Sequence, residues 1–342
     1  VTLRCFFAPE TGGHDPQLFL LRGALGANQE RPGRADLLLA GLAKAGLGTD
    51  TPDACPDAAL TAVHTERYVA FLARAHDAWS QLSDAGPEVV ANVHPCGPVR
   101  RYPGGIVGQA GWHMADTACP IGPGTWTAAR RAADTAWAAA EVVARRGGTA
   151  YALCRPPGHH AMADMAGGHC FLNNAAIAAQ HLRTTHRRVA ILDIDVHHGN
   201  GTQGIFWQRG DVLTVSVHAE PTAFYPFFCG YSDETGTGPG AGANLNLPLP
   251  RDSGNMPWLT AIETALARIV AWAPGALVLS LGLDAHEADP LRGLSVSTAA
   301  FGDAARLIAR ANLPTAIVQE GGYLSQHLSA NLCAFIIAWQ SA

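Results

Sequence analysis

The chain has 342 residues, 48% of them hydrophobic and only 15% charged, with a formal net charge of −5. That is enough apolar material for a large core, and the mild charge includes no basic run of the kind that binds nucleic acid. No apolar run is long enough to span a bilayer, "VTLRCFFAPETGG" at the N-terminus lacks the apolar centre of a signal peptide, and the eight cysteines form no CxxC pair, so a cytoplasmic chain with reduced thiols is expected.

In chain order, a strand-like run over Leu3–Phe7 is followed by helical patterns over Ala35–Ala45 and Ala58–Ala75. Residues 83 to 126 are rich in Gly and Pro and weakly periodic. A loop that long inside a domain is usually a lid or an interface. Next come helix Thr127–Arg146, strand Thr149–Cys154, helix Asn174–Arg183, and strands Val189–Asp193 and Val212–Val217. Helix Pro257–Trp272, strand Ala276–Leu281, helix Thr298–Ala311, strand Thr315–Gln319 and helix Ser325–Trp339 complete the chain. The alternation predicts an α/β fold, a central and mostly parallel sheet with helices on both faces. Its strands are apolar throughout, as both covered faces require. No repeat or composition break divides the chain, which reads as a single domain over 1–342.

The polar clusters fall at the carboxyl ends of these strands, where open α/β sheets bind ligands. In "DIDVHHGNG" (193–201), Asp193, Asp195 and His197 alternate, so an extended backbone would point them the same way. Two oxygens and one imidazole suit zinc, iron or manganese; an acidic turn is the plainer reading. Asp284, in "SLGLDAHEADP" (280–290), either completes an open, catalytic metal site or caps a helix. In "CRPPGHHAMADMAGGHCFLNNA" (154–175), His159 and His160 follow a rigid Pro-Pro-Gly run. They suit metal ligation, acid–base work or the capping of a turn. "VQEGGY" (318–323) ends a strand at Glu320 and places Tyr323 either as a donor to a developing oxyanion or at the edge of the core.

Taken together, "RPPGHH", "GGHCFLNNAAIAA", "ILDIDVHHGNGTQ", "VSVH", "GLD…DPL" and "EGGY" resemble the zinc-dependent histone deacetylase superfamily, and most of all its bacterial acetylpolyamine amidohydrolase branch. "VHTERYVAFL" (63–72) and "GPGTWTAA" (122–129) extend the likeness over nearly the whole chain. The resemblance implies an arginase/deacetylase-like fold and a zinc-dependent amidohydrolase that cleaves a slender N-acyl amide with metal-activated water. It implies Asp195, His197 and Asp284 as zinc ligands, and His160 as general base and then acid. His159 would be its electrostatic partner, paired with Asp193, with Asn200 behind His160 and Tyr323 donating to the oxyanion. It also implies a structural potassium ion held by Asp193, Asp195, His197, Ser216 and Val217, partly through main-chain carbonyls, and a substrate tunnel along Gly168.

Four positions depart from that pattern or tune it. His169 and Tyr225 stand where the family usually carries Phe or Tyr and Phe, which predicts a more polar tunnel; Leu291 is an ordinary wall residue. Val107 stands where polyamine-preferring relatives carry an acid, so neutral small amides should fare as well as acetylpolyamines, unless Asp116 or Asp164 compensates. His286 replaces an apolar residue, in the place where arginases hold a second manganese. Gly199 cannot supply the acid that such a site needs, so His286 is expected near the tunnel rim or behind the metal. Residues 83 to 126, with exposed-looking Tyr102, Ile106 and Trp112, are expected to narrow the tunnel mouth and to join chains as a homodimer or homotetramer. The partners expected are thus a small-molecule amide and further copies of the chain, with neither nucleic acid nor membrane.

Overall fold

The computed structural model describes residues 3–98 and 100–342; Val1 and Thr2, at the head of the stretch read for a signal peptide, and Val99, within residues 83 to 126, lie outside the described residues. Its strands are β1 (Arg4–Phe6), β2 (Leu18–Leu21), β3 (Ala24–Ala27), β4 (Thr149–Ala152), β5 (Val189–Asp193), β6 (Val212–Ala219), β7 (Asn244–Leu249), β8 (Ala276–Leu281) and β9 (Thr315–Gln319). Its helices are α1 (Gly33–Lys44), α2 (Asp57–Thr61), α3 (Glu66–Trp79), α4 (Ile106–His113), α5 (Thr125–Arg146), α6 (Asn174–Leu182), α7 (Asn200–Phe206), α8 (Asn255–Trp272), α9 (Thr298–Ala309) and α10 (Leu328–Gln340).

Seven strands form one sheet in the order β1-β4-β9-β8-β5-β6-β7, and every pairing in it is parallel. The side-chain alternation of a strand explains the two cores. On β5, Val189 and Ile191 join the cluster under α3, α5 and α6, whereas Ala190 and Leu192 join the one under α1, α8, α9 and α10. On β8, Ala276 and Val278 face the first cluster, and Leu277, Leu279 and Leu281 the second. Burial on both faces is why these runs are apolar almost to their ends, with Ser280 the one polar residue inside β8. The α/β class read from the sequence holds, with the sheet wholly parallel.

Four local readings change. The pattern over Ala58–Ala75 is two helices, because Thr65 leaves the helical conformation and its side chain caps α3 by accepting from Tyr68 N. β7 is an edge strand whose "NLNLPL" alternates. Asn244 and Asn246 bond Gln203, while Leu245 and Leu247 pack on the second core, so no continuous apolar run marks it. The hairpin β2–β3 is exposed and is held from outside itself, since Glu88 accepts from Gln17 N and Leu18 N, and Thr117 donates to Leu20 O.

Residues 83 to 126 are not one loop. α4 lies within them and buries Ile106, Gln109, Ala110 and His113, with Met114 next along the same face. That spacing is one face of a helix, and it leaves Val107 turned to solvent. Tyr102 and Trp112, read as exposed, are half-buried against each other, with ring centroids 5.6 Å apart, and Tyr102 Oη bonds His113 Nε2 at 3.1 Å. Ile106 is buried.

Candidate active site

The site forms where β4, β9, β8 and β5, neighbours at the centre of the sheet, release their chains at their carboxyl ends. β5 ends at Asp193, whose carboxylate turns the chain by accepting from Asp195 N at 3.0 Å. Asp195 does the same for His197 N at 2.9 Å. The segment is therefore a chain of carboxylate-capped turns, not the extended run that the alternation suggested, yet Asp195 and His197 still meet. β8 delivers Asp284 to them. His197 Nδ1 lies 3.2 Å from Asp195 Oδ1 and 3.2 Å from Asp284 Oδ2. The three ligand atoms fall within 4.8 Å of one another, and all three residues are buried.

Two buried carboxylates facing each other with one imidazole between them are what a divalent cation needs and what a protein otherwise avoids. Asp284 Oδ2 has no hydrogen-bond partner, and burial together with Asp195 pushes the Asp284 carboxyl up. Bound charge would relieve both. Approach is also enforced by backbone: a Cβ at Gly321 would run into the carboxylates of Asp284 and Asp195, and Gly321 N donates to Asp195 Oδ2 at 2.7 Å. A second group of metal-capable side chains, His159, Cys170 and Glu320, lies close by. It is committed to scaffolding, since Glu320 Oε2 accepts from Gly158 N and His159 N, and His159 Nδ1 is taken by Asp193.

β4 leads into the loop that carries the paired histidines. His159 Nδ1 donates to Asp193 Oδ2 at 2.9 Å. Burial opposes its charge, but Asp193 and Asp195 outweigh burial and raise the ring to about 10. His160 Nδ1 lies 2.6 Å from Asn200 Oδ1, an acceptor that fixes the proton on Nδ1 and leaves Nε2 basic. Burial and the neighbouring His159 and His197 hold the His160 ring well below the usual imidazole range. The two adjacent rings, 4.0 Å apart, are thus set to opposite protonation states.

β9 ends in Glu320, and Tyr323 follows two glycines later. Its backbone N–H donates to Asp289 Oδ2 at 2.8 Å, and the Arg34 guanidinium lies 4.7 Å from the centre of its ring. Arg34 is fully buried, donates to Gly322 O and Glu320 O, and pairs with Glu30. Asp289 stands in the "DPL" motif, but nothing in the sequence assigned it a role, and there was no signal for Arg34, because both act through main-chain atoms that folding alone brings near.

His160, His197 and Tyr323 line a cavity of about 330 Å³ that opens to solvent. Gly168, His169, Tyr225 and Leu291 line it too, as expected. Gly168 has φ 52°, and a Cβ there would strike the His160 ring. Tyr225 stands edge-on to His160 at 4.8 Å, and its hydroxyl donates to Asp116 Oδ2 at 2.7 Å. His169 packs between Phe19 and Tyr323, 5.7 Å from each, and burial lowers it to about 4. Asp116, unplaced by the sequence, is a wall residue, whereas Asp164 is exposed and not part of the wall.

Two expected wall residues are elsewhere. Val107 lies on the solvent face of α4, outside the cavity. His286 is buried away from it, stacked on His327 at 4.7 Å and bonded to Ala288 N and Thr298 Oγ1, so it neither ligates nor lines the mouth. The mouth is framed instead by the hairpin residues Leu20–Arg22, by Phe224 and Phe227, and by Arg251 and Arg292.

A fold with a parallel sheet, paired histidines and an Asp-His-Asp cluster at its strand ends defines a class of metal-site hydrolases. Residues 28–338 match the histone deacetylase domain family, and the chain belongs to it. It is 45% identical to an acetylpolyamine amidohydrolase of Burkholderia pseudomallei, covering 96% of each chain, and 38% identical to one of Mycoplana ramosa, covering 96% of this chain and 97% of that one. The crystal structure of acetylpolyamine aminohydrolase from Burkholderia pseudomallei superposes with a TM-score of 0.95 at 44% identity, over 99% of both chains. The protein is an amidohydrolase of the deacetylase type.

Proposed function

We propose that the protein hydrolyses the amide of a small, slender N-acylated amine, with a zinc ion held by Asp195, His197 and Asp284. The observation that carries this reading is the orphaned oxygen of Asp284 beside Asp195 and His197 at the floor of the cavity. A divalent ion at that place supplies Lewis acidity toward the amide carbonyl and brings the pKa of a water toward ~7. The remaining work falls to side chains. His160 takes the proton of the attacking water on Nε2 and returns it to the leaving nitrogen, while Asn200 keeps Nδ1 occupied. His159, held charged by Asp193, adds a fixed positive field. Tyr323 donates its phenol proton to the oxygen on which negative charge develops. Gly168, His169, Tyr225 and Leu291 line the path along which the chain of the substrate lies. The products are a carboxylic acid and an amine.

The structural potassium ion is part of the proposal: the carbonyl oxygens of Asp195 and His197 accept no hydrogen bond among the described residues, and Asp193 lies in register with Ser216, next to Val217, on the paired strand. So are self-association through residues 83 to 126 and a cytoplasmic location, the latter supported by eight unpaired cysteines. Among the described residues no helix is long and apolar enough to cross a membrane. The test is turnover of acetylated alkylamines by purified protein with its metal content measured. One zinc per chain in the Asp-His-Asp cluster, and inhibition by a hydroxamate, are expected. Two manganese ions per chain would support a ureohydrolase instead, a reading that the commitment of His286 to His327, Ala288 N and Thr298 already disfavours.

A further inference from the structure

The relatives are named for acetylpolyamines, whose free ends are cationic, yet the mouth of this cavity is lined by Arg22, Arg251 and Arg292 against one acid, Asp116. Asp116 faces inward and is engaged three times, by Tyr225 Oη at 2.7 Å, Gly168 N at 3.0 Å and Ala118 N at 2.9 Å. Its charge serves the wall. Arg292 is partly offset by Asp252 at 3.2 Å. Arg251 and Arg22 form no ion pair among the described residues. Arg251 lies over the Phe224 ring at 4.7 Å, and Phe224 stacks on His197 at 4.8 Å, so this cation is one aromatic layer from the floor. Arg22 occupies the turn between β2 and β3, at the outer edge of the opening. His169, farther up the wall than His160 and His197, adds no charge at pH 7 because burial lowers it to about 4.

From this arrangement we infer that the preferred substrate is an N-acylated amine whose far end carries a carboxylate, an ω-acylamido acid, and that Arg251 and Arg22 are its specificity determinants. The inference rests on the amidohydrolase reading above and adds the charge of the substrate to it. An acyl group at the floor leaves the amine portion running outward past Tyr225 and Leu291, so a terminal anion arrives where the guanidinium groups stand. A planar, bidentate donor is the natural receptor for a carboxylate. Water and the amide give acetate and an ω-amino acid, with every atom balanced and no further reagent.

The test compares kcat/KM for three acetamides of matched chain length: 6-acetamidohexanoate, N-hexylacetamide and N-acetylcadaverine. The expected order is anion, neutral, cation, with the gap narrowing as salt is raised. Arg251→Glu and Arg22→Glu should each shift the anion-to-cation ratio by about fivefold toward the cation, the upper range for an exposed charge pair. Because each ratio is taken within one protein sample, it does not depend on the fraction folded; if a variant fails to fold, the wild-type order decides. A wild type that prefers the cation, or treats the three alike, overturns this inference and leaves the amidohydrolase reading intact. Hydrolysis of none of the three by zinc-loaded protein overturns both.

Discussion

The floor and the mouth of the cavity are built on opposite principles. At the floor the polar groups place one another, Asp193 by Asp195 N and His159, Asp195 by His197 N and Gly321 N, Tyr323 by Asp289, and only Asp284 Oδ2 is left over among them for a cation. At the mouth, Leu20 is 42% and Leu21 50% exposed, Phe227 reaches 45%, and the arginines stand in solvent. A buried network is costly wherever it is incomplete, so each member fixes the next and tolerates little change. An exposed rim carries no such penalty and is free to vary, which makes it the place where substrate preference is decided. Substitutions on the two levels should differ accordingly.

The largest effect is expected from Asp195→Ala or Asp284→Ala. Each removes a carboxylate from the cluster and strands the other charged groups, so activity should vanish and metal content fall, as read by elemental analysis of the dialysed protein. Normal metal and turnover in either variant would dissolve the proposed ligand set. His160→Ala should keep its metal and lose ~10²–10⁴ in kcat, the usual share of general acid–base catalysis. A loss of only a few-fold would take the proton-transfer role from it.

Tyr323→Phe should lower kcat by ~10²-fold with little change in ground-state binding, because an oxyanion donor acts where charge develops. Asp289→Asn is the informative partner. Asp289 is pushed up to about 7 by burial and by nearby Asp284, and one carboxylate holds both Tyr323 N and Leu291 N. Weakening it loosens the phenol and the tunnel wall together, so kcat should fall and KM rise, by up to ~10² combined, the scale of a small misplacement. With the phenol already removed, Asp289→Asn should cost less kcat; full additivity would show that Asp289 does not act through Tyr323.

These contrasts also explain how much was legible beforehand. β5, β8 and β9 were read to the residue, because burial on both faces forces a nearly unbroken apolar run that stops close to where the chemistry starts. The floor residues were legible for the same reason: they follow those runs directly. Arg34 was not, and Asp289 and Asp116 stood out without their roles, since each acts on a main-chain atom or side chain far away in sequence, and a hydrogen bond to a backbone amide leaves no pattern. The hairpin and α4 were missed because one is exposed and the other buries a single short face. Neither builds a periodic signal strong enough to rise above its Gly/Pro-rich surroundings.

Acid should separate the levels by stability as well. His64 is buried, with Nδ1 donating to Met162 O and Nε2 accepting from Asn173 N, so it supports the loop that carries His160. Burial lowers it to about 4 from 6.5. The unfolded chain therefore takes up a proton below pH 6.5 that the folded chain refuses until about pH 4. Stability is untouched above that window and falls by about 1.4 kcal/mol per pH unit inside it. His64→Gln keeps a donor and an acceptor but cannot titrate. Its urea midpoint should fall less than that of the wild type between pH 7.5 and 5.5, by the equivalent of about 1 kcal/mol. An unchanged pH slope would mean that His64 is not the group that charges.

The smallest effect belongs to Val107, and it reverses the expectation drawn from sequence alone. A glutamate at 107 looked able to restore polyamine recognition, on the assumption that residues 83 to 126 lie across the mouth. α4 directs Ile106, Gln109, Ala110 and His113 into the protein, and Val107, 40% exposed, projects the other way. Among the described residues of the segment, only Asp116 to Ala118 reach the cavity. A charge on the solvent face of α4 is screened over about 10 Å at ordinary salt. Val107→Glu should therefore change kcat/KM for N-acetylcadaverine by less than about twofold, well within the range of a remote surface charge. A gain approaching tenfold would mean that Val107 faces the substrate path after all, across an interface with a second chain, and would move part of the mouth onto the partner copy.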